Sequence, residues 1–291
     1  MTELNHLLES IHPIALANDK ERILHLSTDR WIDYPRAAFV MQRLGELLAT
    51  PARTRMPCLL IHGDSGMGKT MLIEKFVRNH PPSYNKQRGL EQIEIVALEM
   101  PPAPTERRIY GKMLQALGAP FRPAERLDVL EHATIGVLER LQPKLIVVDE
   151  LHHLTAATAR DQRVVLNLLK HLSNTLRCCI VALGIHDAVL VIQSDAQIAS
   201  RFARLELPRW RESDDLRRFV NALEKTLPLR ERSNLANRDS VNLILAAGDG
   251  ITGGMTEFVV GAAKRAIRIG QEKITPVFLE SLLRAEPTLV A

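Results

Sequence analysis

The sequence contains few cysteines and no long apolar run. Three cysteines in 291 residues cannot form a disulfide framework, and we expect the adjacent pair, Cys178 and Cys179, to be reduced and buried in a strand. No apolar stretch approaches the roughly 18 residues that a membrane span requires. The first residues also lack the basic start and apolar core of a secretion signal. We therefore expect a cytoplasmic protein with no membrane partner.

Zinc-binding patterns and strongly one-sided charge are absent as well. His152 and His153 follow two acids, but they match neither H-E-x-x-H nor a paired Cys/His pattern. Because adjacent side chains are expected to diverge, we predict no zinc site there. The net charge is +4, and the pI is near 9.1. These values permit binding to a polyanion without requiring it.

What the sequence does contain is a phosphate-binding loop. Residues 63–70, GDSGMGKT, match G-x-x-x-x-G-K-[ST] at every specified position. The glycines allow a tight turn with inward N–H groups, Lys69 can reach the β- and γ-phosphates, and Thr70 offers a hydroxyl to Mg²⁺. A strand pattern at 58–61 and a helical pattern at 71–80 flank the loop. We predict that a nucleoside triphosphate binds to Gly63, Asp64, Ser65, Gly66, Met67, Gly68, Lys69 and Thr70.

An acidic pair follows a second apolar strand pattern. Residues 145–150, LIVVDE, form a continuous apolar run that ends in Asp149 and Glu150. Strand C-termini face the ligand crevice in open α/β sheets, where Asp149 can hold Mg²⁺ and Glu150 can polarise the water that attacks the γ-phosphate. Acids that cap a strand at the surface give the same pattern, but the loop upstream favours the catalytic interpretation. His152 and His153 would then lie on a loop that faces the γ-phosphate or a neighbouring subunit.

Strand and helix patterns alternate up to about residue 207, which is typical of a three-layer α/β core with a parallel sheet. After Pro208 we find no strand pattern. Four helical patterns follow, the last with Thr275 as N-cap and Pro276 at its first position. We predict three parts: an N-terminal extension at 1–30 that is a candidate for partner binding, an α/β nucleotide-binding domain at 31–209, and a helical lid domain at 210–291.

The aromatic residues ahead of the core have two interpretations. Tyr34, or an apolar neighbour, could pack on a nucleotide base. Alternatively, Trp31 and Tyr34 only fix this segment to the rest of the chain. The sequence leaves both interpretations open.

Together these features resemble the AAA+ ATPases over residues 30–285, and in detail the TniB proteins of bacterial transposons, relatives of TnsC, MuB and IstB. The resemblance depends on WIDYPRA at 31–37, GDSGMGKT at 63–70, DELHHL at 149–154 and LPRW at 207–210. It implies an ATPase, with ATP and Mg²⁺ as cofactors, that forms a homo-oligomeric ring or helical filament on double-stranded DNA without reading its sequence. It further implies recruitment and activation of a DDE transposase, a transposon-encoded adaptor as an additional candidate partner, and disassembly on hydrolysis.

The family pattern also implies an arginine that reaches the nucleotide of a neighbouring subunit. Arg201, just before Phe202, fits this role best, and Arg204 is the rival. A guanidinium there would neutralise charge that develops on the phosphoryl oxygens. The implied catalytic set is therefore Lys69, Glu150 and Arg201, and a surface salt bridge is the plain alternative for the arginine.

The sequence departs from the AAA+ pattern at two places. The strand after the Asp-Glu strand usually ends in a polar residue, but ALG at 182–184 offers none, and His186 is a weak substitute. The arginine expected near the start of the third lid helix is also missing, with Met255 and Thr256 in its place. We therefore expect slow, partner-dependent hydrolysis.

The residues that would contact DNA are less specific. Basic side chains that could meet phosphates without reading sequence are Arg107, Arg108, Lys112, Lys264, Arg265 and Arg268. A solvated helix face explains each of them equally well. Two other functions stay open: a loader that acts on a helicase or another protein client, and a nucleotide-gated signalling switch that never touches DNA.

Overall fold

Seven strands are formed in the computed structural model, which describes residues 4–86 and 89–284 of the chain. They are β1 Cys58–His62, β2 Ser83–Asn85, β3 Leu90–Gln92, β4 Ile95–Glu99, β5 Leu145–Asp149, β6 Cys179–Gly184 and β7 Phe202–Glu206. Five of them form a parallel sheet in the order β4-β5-β6-β1-β7, and β2 pairs with β3 in a separate antiparallel hairpin. The predicted α/β class with a parallel sheet is confirmed.

Three α-helices precede β1, at least one helix separates successive strands of the parallel sheet, and the helices after β7 follow one another. In chain order they are α1 His12–Leu16, α2 Asp19–His25, α3 Pro35–Leu48, α4 Lys69–Asn79, α5 Glu106–Ala116, α6 Leu127–Leu141, α7 Ala159–Leu176, α8 Asp187–Gln193, α9 Ala196–Ala199, α10 Asp214–Glu224, α11 Arg238–Ala247, α12 Thr252–Arg268 and α13 Pro276–Arg284. Two 3-10 helices lie at Glu9–Ile11 and Leu151–Ala156. The predicted all-helical region after β7 is confirmed as far as residue 284.

Local capping explains where several helices begin. The hydroxyl of Thr105 accepts the Arg108 N–H ahead of α5, and that of Ser213 accepts the Leu216 N–H ahead of α10. Thr275 caps α13, as the sequence predicts. No single described helix is long and apolar enough to cross a membrane; only α11 and α12 taken together, across a bend of 114°, reach the required length and composition.

The central strands are covered on both faces. Every residue of β1 and β6 is buried, and so are the first four residues of β5. Since side chains alternate between the two faces of a strand, full burial requires packing elements on both sides of the sheet. Ile109, Leu130 and Leu169, from α5, α6 and α7, pack with Val148 and Ile180 of the sheet in one hydrophobic cluster. This is the three-layer arrangement predicted from the sequence.

The strand register brings the C-terminal ends of neighbouring strands to one edge of the sheet. His62 of β1 lies opposite Gly184 of β6 on one side and Glu206 of β7 on the other. Glu99 of β4 lies opposite Asp149 of β5. The loops that follow these strands therefore meet at the same edge.

The cysteines are free thiols in the core, as predicted. Cys178 precedes β6 and Cys179 is its first residue. Burial raises the pKa of both thiols to about 12. They stay neutral near pH 7 and pack as small apolar side chains.

The chain divides into two compact units. The α/β unit consists of Val40–Ser65 and Lys69–Pro208 and contains the whole sheet. The helical unit consists of Met1–Phe39, Gly66–Gly68 and Arg209–Ala291. The domain boundaries at residues 30 and 209 stay a prediction.

The aromatic residues ahead of the core pack within the helical unit. The ring of Tyr34 lies 5.5 Å from that of Trp210 and 5.3 Å from that of Phe219. The Arg36 guanidinium lies 4.1 Å from the centre of the Trp210 ring. Burial raises the pKa of Tyr34. These contacts favour the second interpretation of Tyr34, in which it fixes the segment in place.

A buried ion-pair cluster joins α2 to the segments that connect α10 with α11 and α12 with α13. Arg22 on α2 is completely buried, and its guanidinium donates to Glu272 at 3.1 and 2.5 Å and to the Pro228 carbonyl. Arg230 Nη1 donates to the same carboxylate at 3.2 Å. Burial alone would raise the pKa of Glu272, but the two arginines hold it below its usual value.

We expect Glu272→Gln to lower the free energy of unfolding by about 2–4 kcal/mol, because it leaves the buried Arg22 guanidinium without its carboxylate. Urea unfolding followed by circular dichroism measures this change. The pKa of Glu272 is lower in the folded than in the unfolded chain. The carboxylate therefore contributes fully above its unfolded pKa of about 4.3, and this contribution is lost as pH falls through the folded pKa.

Glu280→Gln is the matched control, because it removes an exposed carboxylate that pairs with Arg284 one helical turn away. We expect it to cost less than about 0.5 kcal/mol. Equal costs for the two variants, or a Glu272→Gln effect that does not shrink at low pH, would contradict the assigned role of the cluster.

Candidate active site

The phosphate-binding loop begins where β1 ends, between the ends of β6 and β7. The Gly63 N–H donates to the Gly184 carbonyl at 3.3 Å, and the Leu207 N–H donates to the His62 carbonyl at 2.7 Å. A Cβ on Gly63 would collide with the Leu207 carbonyl oxygen, so only glycine fits at this point. The start of the loop is thus fixed by the backbone of both neighbouring strands.

Two further glycines shape the loop. Gly66 and Gly68 have φ angles of 76° and 86°, in the left-handed region that glycine adopts without steric cost. Such turns direct neighbouring N–H groups to one side, where they form a concave anion site. Helix α4 begins at the next residue, so its unpaired N–H groups add the positive end of the helix dipole. This backbone fits a phosphate group.

Lys69 is the buried cation of the loop, with 7% of its surface exposed. Its Nζ donates to the carbonyl oxygens of Gly63 and Asp64, both at 2.9 Å. Burial lowers the pKa of Lys69, and the carboxylates of Glu150 and Asp149 act in the opposite direction. An anionic ligand beside Nζ would stabilise the charged form further, so this position also fits a phosphate.

The loop and the acidic pair meet through one side-chain hydrogen bond. The Thr70 hydroxyl donates to Asp149 Oδ2 at 2.6 Å. Asp149 ends β5, which is separated from β1 by β6, and its Oδ1 accepts the Glu150 N–H at 2.7 Å. A hydroxyl and a carboxylate in contact are the hard oxygen ligands that Mg²⁺ prefers. The structure therefore brings the two predicted magnesium ligands together.

Glu150 has an unusual backbone conformation. Its φ and ψ are 55° and 38°, in the left-handed region that a residue with a Cβ rarely adopts. The chain then enters the 3-10 helix Leu151–Ala156, and the Glu150 carbonyl accepts the His153 N–H at 3.0 Å. Such conformations occur at functional sites, where surrounding contacts hold them in place.

His152 and His153 do not diverge as the sequence analysis expected. Their ring centres are 5.0 Å apart, and one donor atom from each lies within 4.8 Å of the Glu150 carboxylate and of the other. Both residues lie on the 3-10 helix Leu151–Ala156, whose tight turn brings the two rings to the same side of the chain. His152 Nδ1 lies 3.0 Å from Glu150 Oε2, and His153 Nδ1 is bonded to the Met100 carbonyl at 2.7 Å.

The two departures noted in the sequence have structural counterparts. Residues 182–184 are buried and place no polar side chain at the end of β6. His186 is largely exposed, with Nε2 3.7 Å from Asp64 Oδ1, so it lies beside the phosphate loop. Met255 is completely buried in α12.

Two acids that the sequence analysis did not single out line the same cleft. A cleft of 440 Å³ beside Thr70 and Asp149 is also lined by Glu74 and Glu99. Glu99 lies opposite Asp149 because β4 and β5 are paired in register. In the sequence, Glu99 is visible only as an acid near the end of a strand pattern before Pro101. That pattern does not show that Glu99 lies beside Asp149, because the order of the strands is needed for that conclusion.

Arg201 lies where the strands of the sheet begin, whereas this site lies where they end. It comes just before β7, and its carbonyl accepts the N–H of Cys58, the first residue of β1. Its Nη1 donates to Asn174 Oδ1 at 2.7 Å. Arg204 is exposed in the middle of β7. The structure therefore brings Lys69, Thr70, Asp149 and Glu150 together and places Arg201 at the other end of the strands.

The candidate DNA-contacting residues lie on two helices. Arg107, Arg108 and Lys112 are exposed on α5, where Arg107 donates to the Glu125 carbonyl and Arg108 to the Ala103 carbonyl. Lys264, Arg265 and Arg268 lie on α12, and the two arginines are exposed. Their role stays a prediction.

Comparison with known families identifies the chain. Residues 22–212 match the family model described as bacterial TniB protein. The chain belongs to the TniB family. The family predicted from the four sequence motifs is therefore confirmed. No curated protein matches this TniB-family chain significantly.

Solved structures share the fold of this TniB-family chain. It aligns with the Aeropyrum pernix ORC2 protein, in ADPNP–ADP complexes, at a TM-score of 0.62 and 17% identity, covering 88% of this chain and 70% of the other. The Aeropyrum pernix ORC1 protein in complex with DNA aligns with a TM-score of 0.62, 18% identity and coverages of 89% and 68%. Cdc6p from Pyrobaculum aerophilum aligns with a TM-score of 0.60, 15% identity and coverages of 86% and 67%.

The fold and site together define the enzyme class. The parallel sheet with a phosphate loop after its β1 strand, followed by four helices, gives this TniB-family chain the AAA+ P-loop fold. The chain is an ATPase of that class.

We expect Lys69→Ala to weaken ATP binding by about 100-fold or more, because a desolvated charge-assisted contact to phosphate is lost. Fluorescence titration with a labelled ATP analogue measures the dissociation constant. Arg78→Ala, on the exposed side of the same helix α4, is the control and should bind the analogue as the wild type does. Unchanged affinity in Lys69→Ala would show that the loop is not the nucleotide site.

Proposed function

We propose that this protein is an ATP-dependent, DNA-binding regulator of transposition that assembles on target DNA and recruits and activates a DDE transposase. The TniB match over residues 22–212 carries the transposition part of this proposal. The contact of Thr70 with Asp149, beside Lys69, supports ATP as the ligand that controls assembly. A transposon-encoded adaptor is an additional candidate partner.

The side chains of the site divide the chemistry among them. Lys69 and the backbone N–H groups of residues 63–70 bind the β- and γ-phosphates, and Thr70 and Asp149 would hold Mg²⁺. Bound Mg²⁺ would neutralise negative charge on the phosphate oxygens. Glu150 orients the attacking water and accepts its proton at a carboxylate oxygen.

Arg201 acts on the nucleotide of a neighbouring subunit in this proposal. Phe202, which follows it, is in register with Cys58 at the start of β1, whereas the phosphate loop follows the end of β1. Five residues of strand span roughly 15 Å, so the guanidinium does not belong to the site of its own chain. A homo-oligomer, ring or filament, supplies the missing arginine from a second copy, and Arg204 is the rival residue.

DNA binding is proposed from fold and charge together. The Aeropyrum pernix ORC1 protein, solved in complex with DNA, shares this fold. Exposed arginines on α5 and α12 supply cations that can meet phosphates without reading base sequence. We assign nucleotide binding to 31–209, the lid to 210–291 and partner binding to the extension at 1–30.

We expect Glu150→Gln to bind ATP normally and to hydrolyse it about 100-fold more slowly or worse, because the amide cannot accept the proton of the attacking water. Complexes formed on duplex DNA with ATP should therefore persist much longer than those of the wild type. Hydrolysis assays and the decay of fluorescence anisotropy on labelled DNA measure the two effects. Glu139→Gln, an exposed carboxylate on α6, is the control. Wild-type hydrolysis by Glu150→Gln would remove Glu150 from the mechanism.

We expect DNA affinity to fall by more than about 10-fold when salt is raised from about 50 to about 200 mM, because binding releases counterions from phosphates. Replacing Lys264, Arg265 and Arg268 by alanine should weaken binding to all sequences equally and flatten the salt dependence. The same replacement of Arg107, Arg108 and Lys112 tests the other helix. A salt-independent affinity, or capture of a helicase in place of a transposase, would contradict the proposal.

A further inference from the structure

Glu150 is held by its backbone, but its side chain needs a separate support. The left-handed conformation is fixed at both ends, since the Glu150 N–H donates to Asp149 Oδ1 and its carbonyl accepts the His153 N–H. Neither bond constrains the carboxylate. A base that must face one water molecule requires a defined side-chain direction as well.

His152 lies in contact with that carboxylate. Its Nδ1 lies 3.0 Å from Glu150 Oε2, and the two side chains are 20% and 35% exposed. Nδ1 itself is buried, and among the described residues it has no well-aligned hydrogen bond to another group. The contact with Glu150 is short but bent, as is common at catalytic sites before the substrate is bound.

The end of β6 explains why the His152 ring can lie there. A Cβ on Gly184 would lie 3.4 Å from His152 N and 3.5 Å from its Nδ1, and only 2.6 Å from the Ala188 Cβ. The missing side chain thus leaves room for α8 and for the imidazole together.

His153 anchors the same helix in a different way. Its Nδ1 is bonded to the Met100 carbonyl, next to the end of β4, and the Met100 N–H in turn donates to the Asp149 carbonyl. The two histidines therefore have different attachments. His153 is tied to the backbone, and His152 is directed at the carboxylate.

We propose that His152 is a positioning residue for ATP hydrolysis: its Nδ1–H donates to Glu150 Oε2 and directs the other carboxylate oxygen at the attacking water. This inference rests on the proposed role of Glu150. His152 touches neither nucleotide nor water in this arrangement and acts only through Glu150.

The test compares His152→Asn with His152→Ala in the full-length protein. The Asn amide nitrogen occupies nearly the position of His Nδ1 and retains a donor, whereas Ala removes it. We expect His152→Ala to lower kcat about 10- to 100-fold with KM and the affinity for a labelled ATP analogue nearly unchanged. His152→Asn should keep kcat within about 3-fold of the wild type, and His152→Gln, whose donor lies farther out, should not.

His153→Ala is the matched control at the neighbouring residue. It should not show a lowered kcat with an unchanged KM. If His152→Ala fails to bind nucleotide, His152→Leu replaces it, because Leu has the branched shape of Asn with the same number of heavy atoms and no donor. An unchanged or raised kcat in the variant without a donor would overturn the inference. So would a His152→Asn variant as slow as the donor-free one.

A double variant separates this inference from the proposed function. Adding His152→Ala to Glu150→Gln should not lower the single-turnover hydrolysis rate further, because His152 acts through the carboxylate that is already lost. An additive loss would show a general structural role and overturn the inference. If Glu150→Gln alone hydrolyses ATP normally, the proposed role of Glu150 fails. If that variant is inactive and His152→Ala is fully active, only the present inference fails.

Discussion

The hydrogen bond between Thr70 and Asp149 depends on β6 lying between β1 and β5, and the rest of the site depends on that placement. Neighbouring strands lie about 4.8 Å apart, so the two outer strands of this trio are separated by about 10 Å. The side chains that start α4 and end β5 span this gap. The glycine that ends β6 adds no side chain here, where a Cβ would meet Ala188 of α8 and His152.

The parts of the site that could be predicted are those whose functional residues lie close together in the sequence. The loop at 63–70 and the pair Asp149 and Glu150 each place all their functional groups within a few residues, so spacing alone identifies them. The three-layer core could also be predicted, because the order of strand and helix patterns is read directly along the sequence. The hairpin of β2 and β3 was not predicted, since strands of three residues show no readable alternation.

The parts that could not be predicted depend on strand order or on backbone conformation. Glu99 lies beside Asp149 only because β4 pairs with β5, and no local pattern specifies that pairing. Arg22 and Glu272 are separated by 250 positions, so their contact requires the tertiary fold. His152 faces Glu150 because Glu150 has a left-handed backbone conformation and a 3-10 helix follows it. The spacing of residues in the sequence predicts neither feature.

The position of Arg201, at the far end of the sheet from the phosphate loop, has a consequence for symmetry. If this arginine completes the site of the next copy through a head-to-tail contact, the two surfaces in contact are different, and the copies form a closed ring or an open filament. A closed ring completes every site. An open filament has one terminal subunit whose nucleotide lacks its arginine, so its two ends differ and turnover there is slower than in the interior. Such a polymer has a built-in direction.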